Sequence, residues 1–254
     1  MQKIHLNPYF ENKPWGGEYI SKIFKLNSKE KIGEAWLVST IKNKESLLDD
    51  CSTLSSFINN NLKLLGLNSI DDFPVLIKII DAKEDLSIQV HPDNEYAKKM
   101  GYKNGKYECW YILDKTKNNS LIKGFKNISK DEFKNAILTN TLENYLNYVS
   151  IKPYDLIEIY PGTVHAILKN TFLLEVQDPC DITYRLYDYN RLPKRELHID
   201  DALNVIYKDK KENNKNKFEI INSNISYFIK IVGFERFFFE INKFSYDTYL
   251  IIND

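Results

Sequence analysis

The stretch LSIQVHPDNEYAKK, Leu86–Lys99, decides how the chain is read. It opens as a strand and closes as a short polar helix. Side chains on a strand alternate between two faces. Leu86, Ile88 and Val90 therefore share one face, which is apolar throughout. Ser87, Gln89 and His91 share the other, a hydroxyl, an amide and an imidazole in a row. Such a strand packs a core on one side and offers polar groups on the other.

The same β character extends in both directions. GEAWLVS (33–39), PVLIKIIDA (74–82), KYECWYIL (106–113), LIEIY (156–160), TFLLEVQ (171–177) and ITYRLYDY (182–189) are short and rich in β-branched and aromatic residues. Helical patterns are fewer. STLSSFINNNLKLL (52–65) has helical spacing, and 129–149 opens with a capping box, Ser129 with Glu132. A short helix is expected from Asp200. The run KDKKENNKNK (208–217) carries no apolar residue and reads as a charged linker. Strand character returns over 226–244, and the final SYDTYLIIND reads as a strand cut short. The pattern predicts an all-β protein, a barrel or sandwich with helical additions.

At 254 residues the chain can form one large all-β domain or two smaller ones. Its 43% hydrophobic and 13% aromatic content supports a core and excludes wholesale disorder. Lys+Arg and Asp+Glu both number 35, so formal charge is zero. A global field for nucleic acid or a membrane surface is thus not expected, and an anionic ligand must be met by a local cluster. Cys51, Cys109 and Cys180 make neither a disulfide framework nor a CxxC pair. No signal-peptide core and no run of about 18 apolar residues is found, so a cytoplasmic protein is expected.

Of the four histidines, His5 and His198 sit in polar surroundings and are expected at the surface. His165 follows a Pro-Gly turn in YPGTVHAI, which could aim it inward. Glu108 shares a strand face with Lys106 and Trp110, and Cys109 points away from it. Gln89, His91, Glu108 and His165 offer two imidazoles, a carboxylate and an amide. That mixture suits Zn²⁺ or a similar divalent ion with a position left open. Taken singly, each fragment is more often a hydrogen-bonded pair or ordinary packing.

Taken in order, the fragments resemble the type I mannose-6-phosphate isomerases of the cupin superfamily, in their short bacterial form. The resemblance is carried by PWGGEYI (14–20), IGEAWLVS (32–39), PVLIKIIDAKEDLSIQVHPD (74–93), GKYECWYIL (105–113), YPGTVHAI (160–167), LLEVQDPCDITYRLYDYNR (173–191) and RELHIDDAL (195–203). It implies a cupin (jelly-roll) β-barrel over residues 1–207, with helical insertions near 52–65 and 129–149. After the linker 208–217, residues 218–254 would form a partial second cupin-like β domain. Members of the family usually continue further, so this domain is expected to be incomplete.

The resemblance also implies roles. Gln89, His91, Glu108 and His165 match the ligands of one Zn²⁺ per chain. Arg185 and Glu175 match active-site residues, with Glu175 the candidate proton-transfer base. Ser87 and Lys106 match positions near the substrate phosphate. Arg191, just beyond the YRLYDYN run, is a candidate auxiliary contact by position alone, and a solvated surface charge explains it equally well. The implied reaction interconverts mannose 6-phosphate and fructose 6-phosphate by proton transfer through an enediol. Read without the family, Arg185 is better explained by a structural ion pair with a nearby acid such as Asp181 or Asp188; the resemblance reverses that preference. Two other readings remain open at this level. One is a catalytically weak sugar-phosphate-binding cupin. The other is a metal-dependent oxygenase, which the amide ligand and phosphate contacts disfavour. The partner implied is a small sugar phosphate, with oligomeric state undetermined.

Overall fold

The computed structural model describes residues 1–27, 31–114, 116–207 and 216–253. The expected linker lies outside the described residues except for positions 216 and 217. The order begins with β1 (Gln2–Leu6), β2 (Tyr9–Gly17), α1 (Tyr19–Ile23), β3 (Ile32–Val38), α2 (Leu54–Asn60), α3 (Leu62–Leu65) and β4 (Leu76–Ala82). Next come β5 (Ile88–Val90), α4 (Asn94–Lys99), β6 (Glu108–Ile112), β7 (Ser120–Phe125), α5 (Lys130–Leu138), β8 (Leu146–Ser150), β9 (Leu156–Ile159) and β10 (His165–Ala166). The chain continues through β11 (Thr171–Gln177), β12 (Tyr184–Tyr187), α6 (Ile199–Ile206), β13 (Phe218–Asn222), β14 (Ser226–Ile231), β15 (Phe234–Asn242) and β16 (Thr248–Ile252). Strands dominate and the helices are short, as the all-β reading with helical additions requires. Among the described residues no helix is long and apolar enough to cross a membrane.

Two compact units are distinguished. One comprises Met1–Asp81, Leu174–Pro179 and Asn213–Asp254, the other Ala82–Leu173 and Cys180–Glu212. This division differs from a boundary at the charged run, because residues from 218 onward share a unit with 1–81. In that unit a sheet runs β1-β16-β15-β14-β13. The stretch 226–244 is two strands, because Gly233, at φ +87°, turns the chain between β14 and β15. Phe237, Phe239 and Ile241 alternate into the core, and Phe73 stacks on Phe237 at 5.9 Å. β16, which reads as cut short, pairs with β1 on one side and β15 on the other. The helical stretch 52–65 is broken at Asn61 into α2 and α3, and Gly66 closes it at φ +71°.

The second unit contains a sheet ordered β12-β5-β10-β7-β8. One face is a dry core: Ile88, Val90, Ile122, Ala166 and Leu186 from the strands meet Phe133 and Ile137 of α5. Ala202, Leu203, Val205 and Ile206 of α6 complete it. Each fully buried aliphatic side chain here contributes about 1.5–3 kcal/mol relative to exposure, and that packing fixes which way the strands face. α5 starts at the expected capping box, Ser129 accepting from the Glu132 N–H. The helix stops at Leu138, short of the expected 149. Asn140 adopts φ +56°, and Leu146 and Tyr148 instead pair across to Phe125 and Ile122 as β8. Their alternation fits the sheet edge better than a fourth and fifth helical turn.

Candidate active site

With Ile88 and Val90 buried in the core, the opposite face of β5 carries Ser87, Gln89 and His91. In the ladder Gln89 lies opposite His165 of β10 and opposite Arg185 of β12. Residues directly opposite in antiparallel strands project to one face. The polar row seen in the sequence thus becomes a row across three strands.

Local sequence draws the remaining groups to it. The Asp93 side chain caps α4 by accepting from the Tyr96 N–H at 2.7 Å, and the Asn94 side chain accepts from the Gly105 N–H at 2.8 Å. The Lys106 N–H bonds the Pro92 carbonyl at 3.0 Å. Gly105 passes so close to this turn that a Cβ would sit 2.4 Å from the Pro92 oxygen. The close pass lays GKYE along HPDN and sets Lys106 and Glu108 beside His91. The Pro-Gly turn is used in the same way. Gly162, at φ +78°, donates its N–H to the His91 carbonyl at 2.9 Å, which delivers His165 to His91 three residues later. The two rings lie 4.7 Å apart, and Trp110 packs edge-on to His165.

His91, Glu108 and His165 are each 1% exposed or less, and their donor atoms lie within 4.8 Å of one another. His91 Nε2 is 3.2 Å from Glu108 Oε1, and His165 Nε2 is 3.6 Å from Glu108 Oε2. These approaches are not aligned as hydrogen bonds. Both His91 ring nitrogens and Glu108 Oε2 are buried without a hydrogen-bond partner. Orphaned buried donors and acceptors are costly, and one donor atom each from His91, Glu108 and His165, the first two carrying such orphans, fits a metal ion. The His165 Nδ1 lies 2.8 Å from the Thr163 carbonyl, which fixes the proton there and leaves Nε2 as a lone pair toward the cluster.

Protonation states agree with that use. Burial, helped by the Lys106 charge, pushes the His91 imidazole down to about 3, against the pull of Glu108. Burial likewise lowers His165. Burial alone would raise Glu108, but Lys106 and the two imidazoles outweigh it and hold the carboxyl well below its usual range. Neutral imidazoles and an ionised carboxylate are the forms that bind a divalent cation.

Gln89 joins the cluster through its amide, with Nε2 3.4 Å from His165 Nε2 and Oε1 accepting from Ser87 Oγ at 3.2 Å. Ser87 Oγ in turn accepts from Arg185 Nε at 3.3 Å. Arg185 makes no ion pair with Asp181 or Asp188, the alternatives open at the sequence level; Asp188 is engaged by Arg191 and Arg195. Burial and the Arg195 charge lower the Arg185 pKa, but a guanidinium stays cationic. Lys106 Nζ lies 2.7 Å from Glu108 Oε1. Arg191 bonds Asp188 at 3.0 Å, reaches the Asp85 carbonyl and covers the Tyr189 ring. Glu175 belongs to the other compact unit. It is 5% exposed and lies 3.4 Å from Lys78, which also approaches Glu34 and the Trp36 ring.

Two residues near the row escaped the sequence reading. Lys123 of β7 lies opposite His165. Its only sequence signal was alternation with the apolar Ile122. His198, expected at the surface, is half-buried against Arg185. Its charged neighbours concealed it.

The sequence profile described as "Phosphomannose isomerase type I, catalytic domain" matches residues 3–129. A Bacillus subtilis (strain 168) protein named "Probable mannose-6-phosphate isomerase GmuF" is 35% identical, over 98% of this chain and 84% of its own. The mannose-6-phosphate isomerase ManA of the same organism is 36% identical, over 81% of this chain and 68% of its own. The crystal structure of the Bacillus subtilis mannose 6-phosphate isomerase superposes with a TM-score of 0.79 at 32% identity, covering 95% of this chain and 81% of that one. That likeness carries the cupin-like β-fold expected above. With the buried His91, Glu108 and His165 cluster inside the same fold, the chain belongs to the type I phosphomannose isomerase family.

Proposed function

We propose that the chain interconverts mannose 6-phosphate and fructose 6-phosphate with one zinc ion held by Gln89, His91, Glu108 and His165. The observation that carries this reading is the buried cluster of one donor atom each from His91, Glu108 and His165, with polar atoms of His91 and Glu108 left unsatisfied, on the strand face that also carries Arg185 and Ser87. A bound divalent ion supplies a Lewis acid that stabilises negative charge developing on a carbonyl oxygen. For Gln89 to serve, its amide turns by half a rotation, exchanging nitrogen for oxygen toward His165.

The protein's own groups divide the rest. Aldose–ketose interconversion moves one proton between neighbouring carbons, and the enediol between them is anionic. Arg185 has five N–H donors, of which Ser87 and the Glu196 carbonyl take two. The remainder are free to stabilise that anion. Ser87 and Lys106 hold the phosphate end, so that remote binding energy keeps C1 and C2 in register. Arg191 supports this end through Asp188. Glu175 moves the proton; the resemblance carries that role. A cytoplasmic location is proposed with this function, since three free cysteines suit a reducing compartment.

The test is isomerisation of mannose 6-phosphate in D₂O by the metal-loaded protein, followed by NMR, with metal analysis of the same sample. Fructose 6-phosphate with at least partial deuterium at carbon is expected. Folded, zinc-replete protein that binds the sugar phosphate and forms no product overturns the isomerase reading in favour of a binding protein.

A further inference from the structure

The motif RELH, residues 195–198, is not consumed by the metal cluster or by any phosphate contact. Its bonds converge instead on one residue. The His198 N–H donates to the Arg185 carbonyl at 2.8 Å, and the Arg185 N–H points at His198 Nδ1 at 3.3 Å. The Glu196 carbonyl accepts from the Arg185 guanidinium at 2.9 Å. Main chain and side chain of Arg185 are therefore held by the same four-residue segment, which has no ladder of its own in the sheet.

The segment is itself anchored at both ends. Arg195 grips the Asp188 carboxylate with two nitrogens, Nε at 2.8 Å and a terminal nitrogen at 2.5 Å. A bidentate pair of this kind fixes orientation as well as distance. At the other end His198 leads into α6, whose Ala202, Leu203, Val205 and Ile206 are buried in the core. An exposed segment held at both ends in this way is a rigid support.

We infer that residues 195–198 are a strap that presets the Arg185 guanidinium, with His198 as its positioning residue. This rests on the role given to Arg185 in the proposed function. His198 does not touch the substrate. It acts through Nδ1, which must be an acceptor, so the ring proton sits on Nε2. Arg185 then enters the reaction already oriented, and no conformational freedom has to be lost at the moment charge develops. A long flexible side chain held only by Ser87 would lack that advantage.

The geometry specifies which replacement should restore function. Asparagine places its Oδ1 the same number of bonds from Cα as His Nδ1; glutamine places its oxygen one bond further. His198→Ala should lower kcat for mannose 6-phosphate about 10-fold, with KM changed less than about 2-fold and metal content unchanged. His198→Asn should recover most of kcat, and His198→Gln should not. In an Arg185→Ala background, His198→Ala should cost nothing further, since residues acting through one another are not additive. Melting temperatures of all variants are measured alongside, because a merely structural role would make kcat follow stability. Equal kcat for the Ala, Asn and Gln variants overturns the strap, and so does an undiminished loss in the Arg185→Ala background. A parent that isomerises while Arg185→Ala is fully active overturns the role of Arg185 instead, and a parent without isomerase activity overturns the functional reading itself.

Discussion

The Lys106 ammonium lies 2.7 Å from the Glu108 carboxylate, two residues further along the chain, and both are sealed from solvent. Lys106 thus occupies one lone pair of the carboxylate that the metal cluster needs. Two cations, one built in and one acquired, share a single buried anion. The built-in one keeps the site from carrying a bare buried charge before metal arrives, a state that would be strongly unfavourable.

Lys106→Met should therefore separate stability from metal response. The metal-free variant loses about 3–5 kcal/mol, the usual cost of leaving one half of a buried pair alone. Adding zinc should then raise the melting temperature more in the variant than in the parent, because the ion takes over the neutralisation of Glu108. Melting curves with and without chelator read both quantities. An equal zinc-induced rise in both proteins would mean that Lys106 and the ion do not share this carboxylate.

His91→Ala should abolish stoichiometric metal binding and turnover. Chelation should lower the melting temperature of the parent and leave the variant unmoved, since a ligand of the native state alone stabilises by mass action. A purified variant that keeps one zinc per chain and near-normal turnover would show that the donor set is wrong.

How much of this was legible in the sequence depends on the distance over which each signal acts. Alternation across Ser87–His91 fixed the polar face correctly because it is local, and the capping box at Ser129 is equally local. The helix end at Leu138 was overestimated: the apolar residues Leu146 and Val149 continue a helical spacing, but their partners lie in β7, which no local window contains. Gln89, His91, Glu108 and His165 are brought together across strands, so their residue types suggested a metal while their assembly rested on family likeness. His198 was hidden because its function depends on a bond to Arg185, thirteen residues away and carried partly by backbone.

Gly105→Ala tests how the second half of the cluster is delivered. The added Cβ would lie 2.4 Å from the Pro92 oxygen and from the Asp93 carbonyl carbon, both of them backbone. Backbone cannot step aside as a side-chain tip can. The strand leading to Glu108 must move away from His91, with a loss of about 1–3 kcal/mol from overpacking. Zinc affinity should fall with it, as read by competition with a chromogenic chelator. Unchanged zinc affinity would mean that the close pass at Gly105 does not set the spacing of the donors.

Lys123→Met tests the far end of the polar row. Lys123 lies opposite His165 in the ladder, and its neighbour Ile122 is buried on the other face, so Lys123 belongs to the face that carries Gln89 and Arg185. The register shifts just after it. Gly124, at φ +86°, bonds the Val164 carbonyl, and bulges of this kind re-aim side chains next to sites. Lys123 is half-buried, and among the described residues no hydrogen bond or ion pair engages its ammonium. Lys106 divides its three donors between Glu108 and the phosphate, and Arg185 is tethered to Ser87 and the Glu196 carbonyl. Lys123 is thus free to meet an anion laid along the row. A charge-assisted contact contributes about 1.5–3 kcal/mol, so Lys123→Met should raise KM for mannose 6-phosphate by about 10-fold or more. Lys123→Arg should retain most of the affinity. Metal content and kcat at saturating substrate should stay near the parent values. The rise of KM with added salt should also flatten in the Met variant, because a screened ion pair has been removed. A KM unchanged by Lys123→Met, in an enzyme that turns over normally, would place the phosphate wholly on Ser87 and Lys106.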